Sequence, residues 1–244
     1  MRAASPTHDL YPSRTGGPGR TMRRIDPVLH GGRRAPGPLR EEQLRCFERD
    51  GLLRLEGLFG PDELRELRHE MERLGRALDD DARVVREPGS GAVRSIFAIH
   101  RMEGAFAELT TDRRLADAAR QLLADEVYIH QSRVNHKPGF FGKPFDWHSD
   151  FETWHVEDGM PRMRAVSFSL LLADNDVHNG PLMWIPGSHQ TYVGCEGVTP
   201  PRNHETSLRD QQIGVPDRAT LTRLVDEGGL ELAVGGAGTL IVFE

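Results

Sequence analysis

Two periodicities divide the chain. Between residues 61 and 78 the apolar positions Leu64, Leu67, Met71, Leu74 and Leu78 recur every three or four residues, which predicts a helix with one buried stripe. Gly60 and Pro61 open it, and Asp62 and Glu63 sit near the positive end of its dipole. Before it, EEQLRCFERDG reads as a short helix stopped by Gly51, and LLRLEGLF as a strand or buried turn. After it, REPGSGAVRSIFAIHR gives a turn and a strand. Residues 112–124 then predict a second amphipathic helix, capped by Thr111 or Asp112.

Beyond residue 126 the period shortens. VYIHQSRVNHK is rich in β-branched and aromatic residues, and strict alternation places Val127, Ile129, Gln131, Arg133, Asn135 and, if the strand persists, Lys137 on one strand face that grows polar towards its end. MRAVSFSLLLAD alternates Arg164, Val166, Phe168 and Leu170 with Ala165, Ser167, Ser169 and Leu171. Core strands fill space with large side chains, so a row of Ala and Ser predicts either close sheet packing or a volume that something else occupies. NGPLMWIPGSH predicts a short strand between turns, residues 200–217 an irregular loop and residues 218–227 a short helix. LELAVGGAGTLIVFE predicts two strands around a Gly-rich turn. Helices in front and many short strands behind leave a β-sandwich or a double-stranded β-helix, the cupin-like jelly-roll barrel: mainly β with flanking helices. The expected division is a flexible N-terminal arm over residues 1–39, without regular structure of its own until it packs on the body, and one domain over residues 40–244.

Composition narrows function more than fold. The 244 residues carry a net charge of −6. The first forty hold eight Arg and two acidic residues, so the remainder carries about −12. That arm lacks Lys and interleaved aromatics, and an acidic body repels a phosphate backbone, which sets nucleic acid aside as a partner. No apolar run approaches membrane-spanning length, and the Arg-rich, Pro- and Gly-broken start is unlike a secretory segment. Cys46 and Cys195 lie far apart and suggest neither a disulfide framework nor a zinc pattern. A soluble cytoplasmic protein is the expectation.

Candidate chemistry concentrates in FDWHSDFETWHVEDGMPRMRAVSFS, residues 145–169. His148 and Asp150 are two apart, and on an extended backbone both side chains point the same way, bringing an imidazole nitrogen and a carboxylate oxygen to one point. These are two of the three ligands of the facial triad that holds non-haem Fe(II) and keeps positions open for substrate and oxygen. Alone, a His-x-Asp pair is more often a hydrogen-bonded surface couple. Structural roles are expected for His155, before an acidic loop, and for His178 and His189 at turns.

The surrounding residues shift that balance. WHSDFETWH followed by EDGMPRMRA resembles the signature segment of the ectoine hydroxylases, in the phytanoyl-CoA dioxygenase group of Fe(II)- and 2-oxoglutarate-dependent enzymes. DLYPSR, RIDPVLHGG and NGPLMWIPGSH extend the similarity over most of the chain. The resemblance implies a jelly-roll barrel, a homodimer, and hydroxylation of ectoine, a small cyclic amidine bearing a carboxylate, with Fe(II), 2-oxoglutarate and O2. By position it implies that His148 and Asp150 are the metal-ligating catalytic residues and that Lys137 contacts 2-oxoglutarate. Asn135, on the same strand face, adds a donor. It further implies that Gln131, Thr153, Trp154, Ala165 and Ser167 line the substrate site. The residue types match these ligands, because a distal carboxylate needs a cation or a cluster of donors and a delocalised amidinium suits an indole face. Arg133 and Arg164 are further cations, or members of structural ion pairs.

One family feature is missing. The family's second histidine follows a strand resembling GTLIVFE, with another donor for 2-oxoglutarate later still, whereas no histidine occurs here after His204. The expectation is therefore a C-terminally incomplete enzyme with weakened iron binding, little hydroxylation and an unpaired barrel edge. Two other functions compete. One is a related dioxygenase acting on another small amino-acid-derived substrate. The other is a catalytically silent cupin-like binding protein, which the missing histidine favours and the intact HSDFETWH segment opposes.

Overall fold

The computed structural model describes residues 9–78, 81–87, 89–139, 142, 144–203 and 211–244. Helices form where caps and stripes coincide. α1 (Glu41–Asp50) ends at Gly51, whose φ of 75° is the left-handed conformation that a glycine stop supplies. α2 (Pro61–Ala77) buries Leu64, Leu67 and Leu74. α3 (Ala105–Thr110) precedes α4 (Arg113–Leu123), where the Asp112 carboxylate caps the Arg114 N–H at 2.8 Å. α5 (Asp150–Asp158) and α6 (Arg218–Gly228) complete the α-helices of the described residues, beside 3-10 turns at Ile99–Arg101 and Ser188–Gln190.

The strands are β1 (Arg20–Arg23), β2 (Leu52–Leu55), β3 (Val84–Arg86), β4 (Val93–Phe97), β5 (Arg133–Asn135), β6 (Ser167–Leu170), β7 (Met183–Trp184), β8 (Thr191–Gly194), β9 (Glu231–Leu232) and β10 (Leu240–Phe243). They pair antiparallel as β1–β8, β2–β10–β6, β3–β4–β5 and β7–β9.

β10 lies at the centre of its sheet and sets two unlike faces. Its register places Leu240 and Val242 with Leu53, Leu55, Phe168 and Leu170 on one side. There they pack against Leu44 and Phe47 of α1 and Ala118 and Leu122 of α4. The opposite side carries Leu52, Ile241 and Phe243 together with Ser167 and Ser169. The bulky row of β6 thus meets the helices, and the small row leaves space for the site below.

Two expected strands differ. VYIHQSRVNHK forms a strand only over Arg133–Asn135, paired with β4 from Phe97↔Arg133 to Ser95↔Asn135, with the backbone bonds Ala98 N–H to Ser132 O and His136 N–H to Arg94 O, both 2.8 Å, at its two ends. The His148–Asp150 stretch is not a strand either, since Asp150 starts α5. Of the expected loop over residues 200–217, residues 204–210 lie outside the described residues.

From residue 9 the basic arm is folded onto the body. β1 pairs with β8, and Tyr11 is fully buried with Phe151, Met163 and Tyr192. Arg24 donates to the carbonyls of Asp26, Pro27 and Met163 and pairs with Glu244. Further along, the buried Gln121 of α4 bonds Ala35 O and both backbone groups of Leu39 at 2.7 to 2.9 Å. Backbone that would otherwise be buried unpaired is satisfied this way.

Candidate metal centre and substrate pocket

α5 places the central pair. Ser149 caps it, accepting from Glu152 N–H at 3.4 Å, and Gly159 closes it at φ 74°. Asp150 therefore projects from the first helical turn while His148 precedes the cap, and the two still converge: His148 Nε2 lies 3.5 Å from Asp150 Oδ1. Each is held from behind. His148 Nδ1 lies 2.6 Å from Asp146 O, and the Ser167 hydroxyl donates to Asp150 Oδ2 at 2.7 Å. Such outer bonds orient metal-binding side chains. The loop before His148 is tied down in turn. Arg94, in a buried pair with Glu87 at 2.8 Å, donates to Pro144 O at 2.9 Å and stacks 4.0 Å from the Phe145 ring centre.

The pair is charged in compensating directions. Burial disfavours protonated His148, but the Asp150 carboxylate outweighs it and raises the imidazole. Burial likewise opposes ionised Asp150, and His148, Arg133 and Ser167 together pull it below the usual carboxylate range. Side-chain exposures of 24% and 23% leave one side open for a third group. An imidazole nitrogen and a carboxylate oxygen this close, each fixed by an outer hydrogen bond, are a suitable donor set for Fe(II). Among the described residues no third His, Cys, Asp or Glu joins them.

Around the pair the proposed residues separate. Trp154 follows Asp150 by one helical turn on the same sector, and its ring lies edge-on to His130 at 5.1 Å; His130 is held by Asp158 at 3.0 Å. Arg133 sits between the rings of Phe145 and Phe97, at 5.7 and 5.9 Å, and makes no hydrogen bond among the described residues. Its charge reaches both His148 and Asp150. Ala165 is half-buried just before β6, two residues from Ser167. Thr153 lies on the flank of α5, 3.4 Å from Arg14. Gln131 is exposed and precedes β5 instead of lying on it. Asn135 accepts from Ser95 at 2.8 Å, and exposed Lys137 donates to Gly180 O at 3.3 Å.

Other candidates have structural work. Arg164 binds Leu123 and Ala124 carbonyls and Asp125. His155 binds Met160 O and Asp9, buried His189 contacts Glu48 O at 3.1 Å, and His178 is an exposed turn residue. A shallow depression beside Asp174, Asp176 and His178 is lined by neither His148 nor Asp150, and its Asp176 carboxylate is taken by the His178 and Asn179 N–H groups. Sequence reasoning missed Arg94, Glu87 and Arg14, which no local pattern marks, and the buried pairing of Glu152 with Arg14. The α5 cap was visible, since Ser149 and Glu152 have capping-box spacing.

Known proteins resemble the whole chain. The chain is 48% identical over 238 residues to the ectoine dioxygenase of Stutzerimonas stutzeri, covering 97% of this chain and 79% of the relative. It is 51% identical over 239 residues to that of Sphingopyxis alaskensis, covering 97% and 78%. The crystal structure of EctD from S. alaskensis with 2-oxoglutarate and 5-hydroxyectoine superposes with a TM-score of 0.86 at 48% identity, over 97% of this chain and 78% of that one. The carbocyclase SnoK, at 16% identity and a TM-score of 0.61, shares the fold alone. The profile of the phytanoyl-CoA dioxygenase family matches residues 47–244, and the chain belongs to that family, with its jelly-roll fold.

Proposed function

We propose that this chain is an ectoine hydroxylase: ectoine, 2-oxoglutarate and O2 give 5-hydroxyectoine, succinate and CO2 at an Fe(II) centre. The observation that carries the reading is the convergence of His148 Nε2 and Asp150 Oδ1 at 3.5 Å, one helical turn from Trp154, in a chain 51% identical to an ectoine dioxygenase. His148 and Asp150 would hold the iron, which when bound supplies oxidative decarboxylation of 2-oxoglutarate coupled to oxygen insertion into a substrate C–H bond. The protein's part is positional. Asp146 O holds Nδ1 of His148, leaving Nε2 to face Asp150, and Ser167 fixes the carboxylate. The Trp154 face suits an amidinium, a contact worth about 0.5 to 2 kcal/mol, and Arg133 has donors to spare for a carboxylate. Gln131, Thr153 and Ala165 belong to the same substrate wall by their place in the family pattern. On that pattern too, Lys137 and Asn135 serve 2-oxoglutarate. A homodimer and a cytoplasmic location complete the reading, supported by the family and by two free cysteines.

One second reading stands beside it, a silent ectoine-binding protein. Anaerobic Fe(II) titration of the chain, alongside H148A and D150A, separates the two. The hydroxylase reading expects each substitution to weaken iron binding by at least about tenfold, with succinate released from 2-oxoglutarate only when both residues are present. Iron binding unaffected by either substitution refutes it, and ectoine binding indifferent to iron supports the silent protein.

A further inference from the structure

α5 carries Asp150 and Trp154, but it has no apolar stripe to seat it against the core, so something else must fix its rotation. Residues advance about 100° each around a helix. Asp150, Trp154 and Asp158 therefore share one sector, which faces Ser167, His148 and His130. Phe151 and His155 occupy the next sector. They pack on Tyr11, with ring centroids at 5.1 and 6.2 Å, and His155 also binds Asp9 at 2.9 Å.

The remaining flank belongs to Arg14. Its guanidinium grips Glu152 in a fork, Nε to Oε1 at 2.9 Å and Nη2 to Oε2 at 2.6 Å. It also reaches Glu157 at 2.5 Å, Thr153 at 3.4 Å and Thr199 at 3.3 Å. Both ends of the Arg14–Glu152 pair are 1% exposed. Ser13 adds a bond to Glu152 at 2.5 Å and accepts Cys195 N–H at 2.8 Å, which ties the grip to the strand end after β8. Arg14 holds its place with a backbone φ of 52°, unusual for a side-chain-bearing residue, while its N–H bonds Cys195 O at 2.9 Å. The guanidinium lies so close to Gly214 that a side chain there would collide with it.

We propose that Arg14 is a positioning residue of the site: its planar fork on Glu152 and Glu157 sets the rotation of α5 and so the approach of Asp150 to His148. Its guanidinium bonds Glu152, Glu157, Thr153 and Thr199, and it acts on Asp150 only through α5. A lysine keeps the charge and loses the fork, and replacing both partners of a buried pair with apolar side chains preserves a fold that removing one would not. The inference rests on the metal reading of the His148–Asp150 pair, but its first readout does not.

The test compares the full chain with R14K and R14M/E152M, and with L74A as a control destabilised in the core of α2, far along the chain from α5. Amide hydrogen exchange is followed in α5 and in β10, and Co(II) is titrated as the metal probe. Both Arg14 variants are expected to exchange the α5 amides at least about tenfold faster while β10 stays protected, and to bind Co(II) about tenfold more weakly. In L74A, α5 is expected to keep pace with the rest of the chain. Exchange that is unchanged in α5, or that rises equally in β10, overturns the proposal. So does Co(II) affinity within twofold of the parent in both Arg14 variants. If R14K does not fold, the double variant decides. A parent chain that binds no Co(II) counts against the metal reading, and α5 exchange then decides the role of Arg14.

Discussion

Replacing Ser167 with alanine removes one hydroxyl, the donor that holds Asp150 Oδ2 at 2.7 Å. This short O–H···O⁻ bond is of the charge-assisted kind. Hydrogen bonds to charged groups contribute about 1.5 to 3 kcal/mol. If that orientation energy is lost from metal binding, the cost is about 10- to 150-fold in affinity. Asp150 keeps 23% of its side chain exposed, so water replaces part of the loss and the lower end applies. The fold should barely respond, because β6 is held by its backbone register with β10 from Ser167↔Phe243 to Leu170↔Leu240. The expected result is therefore about a tenfold rise in the Fe(II) or Co(II) dissociation constant, read by anaerobic titration, with Tm nearly unchanged. S167T, which restores the hydroxyl, should recover most of the affinity. Metal affinity in S167A within twofold of the parent, at unchanged Tm, would refute the claim that this hydroxyl orients the carboxylate.

Three other outcomes follow from the same contacts. W154L should weaken ectoine binding by about 2- to 30-fold, the equivalent of a lost cation–π contact; calorimetry that finds equal affinity argues against an indole wall. Y11F deprives Asp26 of a 2.7 Å donor and leaves the Ile25 and Asp26 N–H groups without their phenolic acceptor. About 2 kcal/mol of stability should go, a Tm fall of about 4 to 8 °C for a chain of this size, measurable by calorimetry. Acid should weaken the fold through His189, whose burial lowers its pKa to about 4. The unfolded chain protonates near the ordinary 6.5 while the native one does not, so stability falls as pH drops from about 6.5 to 4, by about 3 kcal/mol. Chemical denaturation across that range should show the decline, and H189Q should flatten it by one proton.

Much was legible in the sequence where burial repeats locally. The stripe from Leu64 to Leu78 and the Gly60–Pro61 start gave α2, Gly51 marked the end of α1, and Asp112 capped α4, because a helix records in its own spacing which face leaves water. The meeting of His148 and Asp150 was likewise legible, since the two lie two residues apart within a long family segment. The extended conformation assigned to them was not, since α5 lacks an apolar stripe and shows itself only through its Ser149 cap. Tertiary structure alone decided what surrounds that helix. Arg14 meets Glu152 across 138 residues, Ser167 reaches Asp150 across 17, and Arg94 finds Pro144 across 50. Periodicity states that a residue is covered. Which distant charge or hydroxyl covers it depends on how the sheets and the arm close around α5, and no spacing along the chain encodes that contact.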